Sequence, residues 1–467
     1  MVVLLLVLVP GCGFRDYEPK PLSTDAFPAQ FRTRDLDSQE LRRYLERVGY
    51  AEPGQPIREW GLTGLTLAGF YYSPELAVAE ADWHLRRAGE ITAGQRPNPS
   101  LSFPAEYHTD PSGDEGSPWV FGSVVDVLFE APGKRDARRD RADALSLAGR
   151  IELEHAAWRL HSRVRQALIE LRAARRRRDL LREEAELNEK TLRLLEERAR
   201  AGQVSTFRVT TLRMDRARTR MELARQRGRI AEARHALAEA VAVPEEKLRE
   251  VSLAFPEVQP GPGGQLDMER LRGLALRRRY DIRRAVAEYA AREAALRREI
   301  RAQYPDLSLS PGLLFDQSEL VWMLGASWTV PLFNRNEGPI AEALARRRLA
   351  RKRFLKLQTR VLQKLAERRD RYRARNSALS EARSLLRDAR ERQTSRRKQY
   401  KAGYLDRLAL LRGRRELVRA RRTVAEAETA RRLALAGVRD ALQRPLSGRL
   451  ALDRALQPLI EETGADP

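Results

Sequence analysis

The residue types that carry most protein chemistry are sparse in this chain. There is one cysteine, Cys12, so an intrachain disulfide and a cysteine metal cluster are both excluded. The five histidines, His84, His108, His155, His161 and His235, are scattered, with no His-x-x-x-His or carboxylate–His spacing. No glycine-rich phosphate loop occurs. These absences point away from an enzyme, and they imply neither a metal nor a cofactor. Charge is what the chain has in abundance: 88 Lys and Arg against 65 Asp and Glu, a formal net charge of +23. Such a balance would suit an anionic partner, a nucleic acid or a membrane face. The arginines are spread along whole segments rather than gathered in one patch, which fits solvated helix faces better.

Cys12 has a context of its own. Met1 to Pro10 reads MVVLLLVLVP, too short to cross a bilayer as a helix but fit to be the core of a signal peptide. Val9-Pro10-Gly11-Cys12 resembles the bacterial lipobox, which implies that residues 1–12 form a lipoprotein signal with its lipobox and that Cys12 is acylated. Several acyl chains, each adding about 0.8 kcal/mol per buried methylene, would anchor the protein firmly.

The basic residues are informative where they are missing. None lies between Pro97 and Gly133 or between Pro305 and Asn334. Chance would place about a dozen in those two windows. Both windows alternate apolar and polar residues with period two, the pattern of strands. Strands are expected at about 99–108, 119–129, 306–315 and 320–332. Excluding Lys and Arg from both faces makes sense in a membrane, where one at mid-depth on a lipid face costs about 2–4 kcal/mol. Trp119, Trp322 and Trp328 suit a lipid-facing wall or its interfacial girdles.

The two windows belong to an internal duplication. SPELAVAEADWHLRRAGEITAGQRPNPSLSF, from Ser73, parallels RYDIRRAVAEYAAREAALRREIRAQYPDLSLS, from Arg279. Leu76 pairs with Ile282 and Pro99 with Pro305, both at an offset of 206 (282 − 76 and 305 − 99). Four strands cannot close a barrel, and open edges are not tolerated in lipid, so other subunits must complete the wall.

Long helices are expected at about 134–201 and 205–243, and again at about 339–402 and 406–442. Leu181, Ala185, Asn188, Leu192, Leu195 and Ala199 step by four and three, a coiled-coil seam with Asn188 as its polar register position. Leu410, Gly413, Leu417, Ala420, Val424 and Ala427 form a second seam. The domains read as an arm (13–69, extended), repeat 1 (70–243), a linker (244–270), repeat 2 (271–443) and a tail (444–467).

The order helix, two strands, long helical hairpin, given twice, resembles the TolC-type outer-membrane efflux proteins. The resemblance covers about Trp60 to Leu446. It rests on Pro74-Glu75-Leu76 with Arg96-Pro97-Asn98-Pro99, on Ala131-Pro132-Gly133-Lys134-Arg135, on Pro305-Asp306-Leu307-Ser308, and on Pro331-Leu332-Phe333-Asn334-Arg335-Asn336. The last run is most similar to the heavy-metal branch. The resemblance implies a mainly α fold with a small transmembrane β part: a homotrimer forming an α-barrel and a twelve-stranded β-barrel. It implies passive export of metal ions, drugs or other small molecules. Arg200-Ala201-Gly202 and Lys401-Ala402-Gly403 match the family's hairpin tips, which meet a periplasmic adaptor coupled to an inner-membrane pump. Asp406 lies near the second tip, where some members narrow the pore with aspartates. Two other readings stay open at this point: a basic coiled-coil protein that binds nucleic acid or acts as a scaffold, and a duct of the same build for polypeptide or polysaccharide export.

Overall fold

Two helices of about 100 Å run the length of the molecule, and everything else is arranged along them. They are α5 (Lys134–Arg200, 67 residues) and α10 (Glu337–Lys401, 65 residues), at 1.5 Å rise per residue. The computed structural model describes residues 15–109, 118–255, 267–316 and 319–443. Cys12 and its apolar run lie outside the described residues, as does the 444–467 tail.

In chain order the remaining elements are α1 (Ala26–Thr33), α2 (Gln39–Arg47), α3 (Leu62–Tyr72), α4 (Pro74–Gly94), β1 (Ser100–Ser102), β2 (Ala105–Tyr107) and β3 (Trp119–Phe129). After α5 come α6 (Thr206–Val241), α7 (Glu245–Glu250), α8 (Met268–Arg278), α9 (Tyr280–Arg301), β4 (Leu307–Asp316) and β5 (Glu319–Trp328). After α10 comes α11 (Arg407–Leu442). The returning helices α6 and α11 have only 36 residues each, so they cover the tip-side half of their long partners. The membrane-side half of α5 is covered by α4 and α9, and that of α10 by α9. Four helices therefore stand side by side at each level.

The duplication reaches further towards the amino terminus than the motifs suggested. Helices α3 and α4 are matched by α8 and α9 at the same offset of 206 (268 − 62 and 280 − 74). Repeat 1 thus begins at Leu62 and repeat 2 at Met268, rather than at 70 and 271. The arm is not an extended strap either. It folds into α1, α2 and the buried α3, because Leu41, Tyr44 and Leu45 share one face of α2 and α3 is apolar all round. Leu36, Leu41, Leu45, Trp60 and Leu65 join Leu153, Leu160, Leu171 and Leu237 in the largest core cluster. The linker contributes to it as well: α7 supplies Leu248, and Leu253 bridges Trp60 in parallel.

The strands form one antiparallel sheet, ordered β1–β3–β4–β5, with β2 also paired to β3. The first expected strand is split into β1 and β2, yet both pieces keep one register: Ser100 faces Asp126 and Ala105 faces Phe121. Pro104 causes the break. It has no N–H to give, although its carbonyl still accepts from the Gly122 amide at 2.9 Å. The last strand ends at Trp328, short of the expected 332, and Leu332 and Phe333 beyond it are exposed.

Candidate functional site: the sheet and the hairpin tips

Register decides what the sheet can do. Phe121 faces Phe315, Val127 faces Leu309 and Phe129 faces Leu307 across the joint between the repeats. Leu307, Leu309, Leu313 and Phe315 then face Trp328, Ala326, Trp322 and Leu320. Tyr107 and Leu101 continue the same row opposite Trp119 and Val125. Side chains at paired positions point to the same side of a sheet, so one face is apolar from edge to edge apart from Ser123. The opposite face is mixed: Ser102, Glu106, Asp126, Ser308, Ser310, Asp316, Glu319 and Ser327 share it with Val120, Val124, Leu128, Leu314, Val321 and Met323. There the Ser310 hydroxyl donates to Asp126. Aromatics mark both ends of the apolar face. Tyr107, Trp119, Phe121, Phe315 and Trp322 stand at the end away from the helices, and Phe129 and Trp328 at the end beside them. The Trp119 and Phe121 rings stack at 5.7 Å between centroids. Trp322 is 78% exposed and Leu324 75%.

Charged residues lock the sheet to the helices at its base. Asp306 accepts from Lys134 and from the Ala131 amide, each at 2.7 Å. Glu130 pairs with Arg138 at 2.6 Å. Asn336, in a left-handed conformation at the start of α10, donates to the Glu299 carbonyl at 2.7 Å. The basic residues begin where the strands end.

At the far end both hairpins turn on glycine. Gly202 has φ +70 and Gly403 φ +80, a conformation that L side chains rarely adopt. Ala201 and Ala402 are the equivalent C-caps of the two long helices, and Arg200 and Lys401 are exposed. The two tips lie together. Leu408 of the second packs among Leu192, Leu195, Val209 and Leu212 of the first.

Asp406 has two partners within the chain. One carboxylate oxygen accepts from the Ala409 amide at 2.7 Å, capping α11, and the other pairs with Arg198 at 2.6 Å. The Ala409 amide and then Arg198 hold its carboxyl below the usual range. Asn188, read as the seam's register residue, is fully buried and donates to Thr219 of α6 at 2.9 Å.

Sequence reading missed the ties between the repeats. Glu184 is buried and receives Arg419 and Arg422 of α11, both at 2.9 Å. Arg415 reaches Asp215 at 3.0 Å. Such partners lie 200 or more residues apart, so no local pattern reveals them. Among the described residues no group of three His, Cys, Asp or Glu could hold a metal ion, and no helix is long and apolar enough to cross a membrane.

Residues 72–243 match a family model described as "outer membrane efflux protein". The match spans nearly all of the first repeat. The resemblance to TolC-type efflux proteins drawn from the motifs therefore holds, and the efflux-channel fold extends over the rest of the chain. VceC of Vibrio cholerae is 19% identical, with 83% of this chain and 97% of that one covered at a TM-score of 0.66. The outer-membrane channel OprN is 20% identical (92% and 98% covered, TM-score 0.67). The CmeC outer membrane channel of Campylobacter jejuni is 14% identical (86% and 89%, TM-score 0.64). No curated protein sequence matches the chain.

Proposed function

We propose that this chain is one third of an outer-membrane export duct, a homotrimer that conducts small cargo passively between a periplasmic pump assembly and the outside. The observation that carries the reading is the sheet: one face apolar across every strand, the other mixed and holding the acids and all the serines but Ser123, no Lys or Arg on either, and unpaired strands at both edges. A sheet of this kind cannot rest in lipid until its edges are paired. Three copies supply twelve strands.

The helices support the same closure. Helix α5 packs against α9 and α11 of the other repeat, whereas α10, its counterpart, packs mainly against α8, α9 and α11 of its own repeat. A second copy offers α4 and α6 in the places that α9 and α11 take beside α5. Val78, Leu85 and Ile91 of α4 and Phe207 and Met214 of α6 lie exposed, ready for that contact. A basic coiled coil that binds nucleic acid would need neither this sheet nor these open edges.

In this reading the paired tips at Arg200–Gly202 and Lys401–Gly403 meet a periplasmic adaptor, which couples the duct to an inner-membrane pump. Acylation of Cys12 would anchor the chain. The cargo, metal ions or drugs, follows from the pump. The test sets the two faces of β5 against each other. Leu324→Arg, on the apolar face, should cut the trimer recovered from outer membranes severalfold, since the charge costs about 2–4 kcal/mol in lipid. Ser327→Arg, on the mixed face, should leave it near wild type. Equal effects, or recovery of a soluble monomer, would overturn the proposal.

A further inference from the structure

A groove of 680 Å³ crosses the middle of the helical wall, with α5 and α10 as its sides and α11 as its floor. Eight arginines line it, among them Arg172, Arg175 and Arg176 of α5, Arg387 and Arg390 of α10, and Arg421 of α11. Two carboxylates share the lining, and both are engaged: Asp179 with Arg178 at 2.7 Å and Glu428 with Arg383 at 3.3 Å. Arg421 turns to Glu183 at 3.2 Å. Arg172 donates to the Phe255 carbonyl at 3.1 Å, and the Arg175 guanidinium sits 5.3 Å over the Phe255 ring. Among the described residues the guanidiniums of Arg176, Arg387 and Arg390 are in no hydrogen bond or ion pair. Like charges held this close raise each other's energy unless an anion sits among them. Elsewhere on the same helices arginines find glutamates, as Arg177 does with Glu222 and Glu426.

We infer that this groove binds a linear multivalent oxyanion, a chain of phosphates or carboxylates, which Arg176, Arg387 and Arg390 grip from opposite walls. Guanidinium presents its donors as a planar fork that matches either group in bidentate fashion, so arginine rather than lysine is the residue for such a site. Small floor residues, Ala425 and Thr429, leave room for the ligand to lie along the groove.

The setting of the groove rests on the duct reading. Phe255 leads on from Leu253, which bridges Trp60, so the groove opens on the side of the wall that carries the arm. A ring of twelve helices spaced about 10 Å apart leaves a bore of about 28 Å. Three folded arms would fill it, and so the arm side is the outside. Arg176 lies 42 residues into the helix that starts at Lys134, about 60 Å from the membrane end. The ligand is therefore one met in the space around the duct and not its cargo.

Binding needs only one chain and can be tested apart from the duct. Isothermal titration of the purified protein with sodium tripolyphosphate and with a glutamate oligomer, at fixed ionic strength, should give saturable binding of at least one probe. The tighter probe tells phosphate from carboxylate. R176Q/R387Q/R390Q should weaken that binding about tenfold or more, since a charged hydrogen bond is worth about 1.5–3 kcal/mol. K352Q/K356Q/R360Q removes the same charge from exposed positions of α10 and should stay within about twofold of wild type. Far-UV circular dichroism and the oligomer mass of both variants report on folding and on the trimer separately. Equal weakening in the two variants, or no binding of either probe by the wild type, would overturn the inference.

Discussion

The two long helices occupy the same place in their repeats and yet are dressed differently. Helix α5 buries 25 of its 67 residues, and α10 buries 7 of its 65. Composition barely differs, with Lys and Arg making up 19 residues of α5 and 22 of α10, so the contrast lies in how many side chains find cover. In a duplicated fold the natural cause is position. Helix α5 has the other repeat on its flank and the arm on its back; α10 is the edge of the chain, where the proposed trimer would place another molecule. An unburied helix in one copy is thus a statement about the assembly.

The largest expected effect breaks this asymmetry directly. Leu171→Ala, at a fully buried site, should cost about 2–5 kcal/mol, read from denaturant unfolding in detergent. Leu385→Ala on α10, 44% exposed, should leave the unfolding of a separated chain within about 0.5 kcal/mol but shift the trimer–monomer balance. If both variants act alike on the separated chain, the difference between the helices is not one of position.

The repeats should also differ in acid. His161 is buried with Nδ1 3.1 Å from the Thr66 hydroxyl, and burial, then Arg165 and Arg439, push it down to about 3. Its counterpart in α10 is Lys364, 203 residues on (337 − 134). Because the folded value lies below the unfolded one, the unfolded chain takes up the proton first. Stability from this site is whole above about pH 6.5 and falls as the pH drops towards 3. By pH 5 the loss is about 2 kcal/mol. His161→Gln should flatten the melting temperature against pH over that window.

Capping offers a subtler contrast. Ser73 caps α4 from its own N-terminus, accepting from the Leu76 amide at 3.3 Å. Helix α9 has no such residue at Arg279. Instead Gln443, past the end of α11, accepts from the Tyr280 amide at 2.8 Å. Either Ser73→Ala or Gln443→Ala should cost about 1 kcal/mol. Hydrogen exchange should speed up in the first turn of α4 for the former and of α9 for the latter. The smallest effect expected is from Asp406→Asn. Asparagine caps well, so only the exposed pair with Arg198 is lost, about 0.5 kcal/mol or less in thermal unfolding.

Much of the wall was legible in the sequence because period two and the missing Lys and Arg are local signals. Strands β3, β4 and β5 fall within a few residues of where alternation puts them, and Gly202 and Gly403 stand at the turns. The arm was not legible. Its helices are short, and α3 has no amphipathic period, being buried on every side. The capping role of Asp406 was not legible for a different reason: near a tip, an acid that caps a helix looks the same as one that only lines a pore. Glu184 was invisible because its partners come from the other repeat, and Gln443 because Tyr280 lies 163 residues away in the chain.

The joint between β3 and β4, where Phe129 faces Leu307, has a consequence for biogenesis. The two hairpins are separated in the chain by α5 to α9, and this pairing joins them into one sheet. Neither hairpin alone has enough paired backbone to enter lipid. Synthesis must therefore pass Trp328 before insertion can begin, and the early hairpin has to wait in water with its aromatics uncovered. In the proposed duct, entry into the membrane is thus a late event.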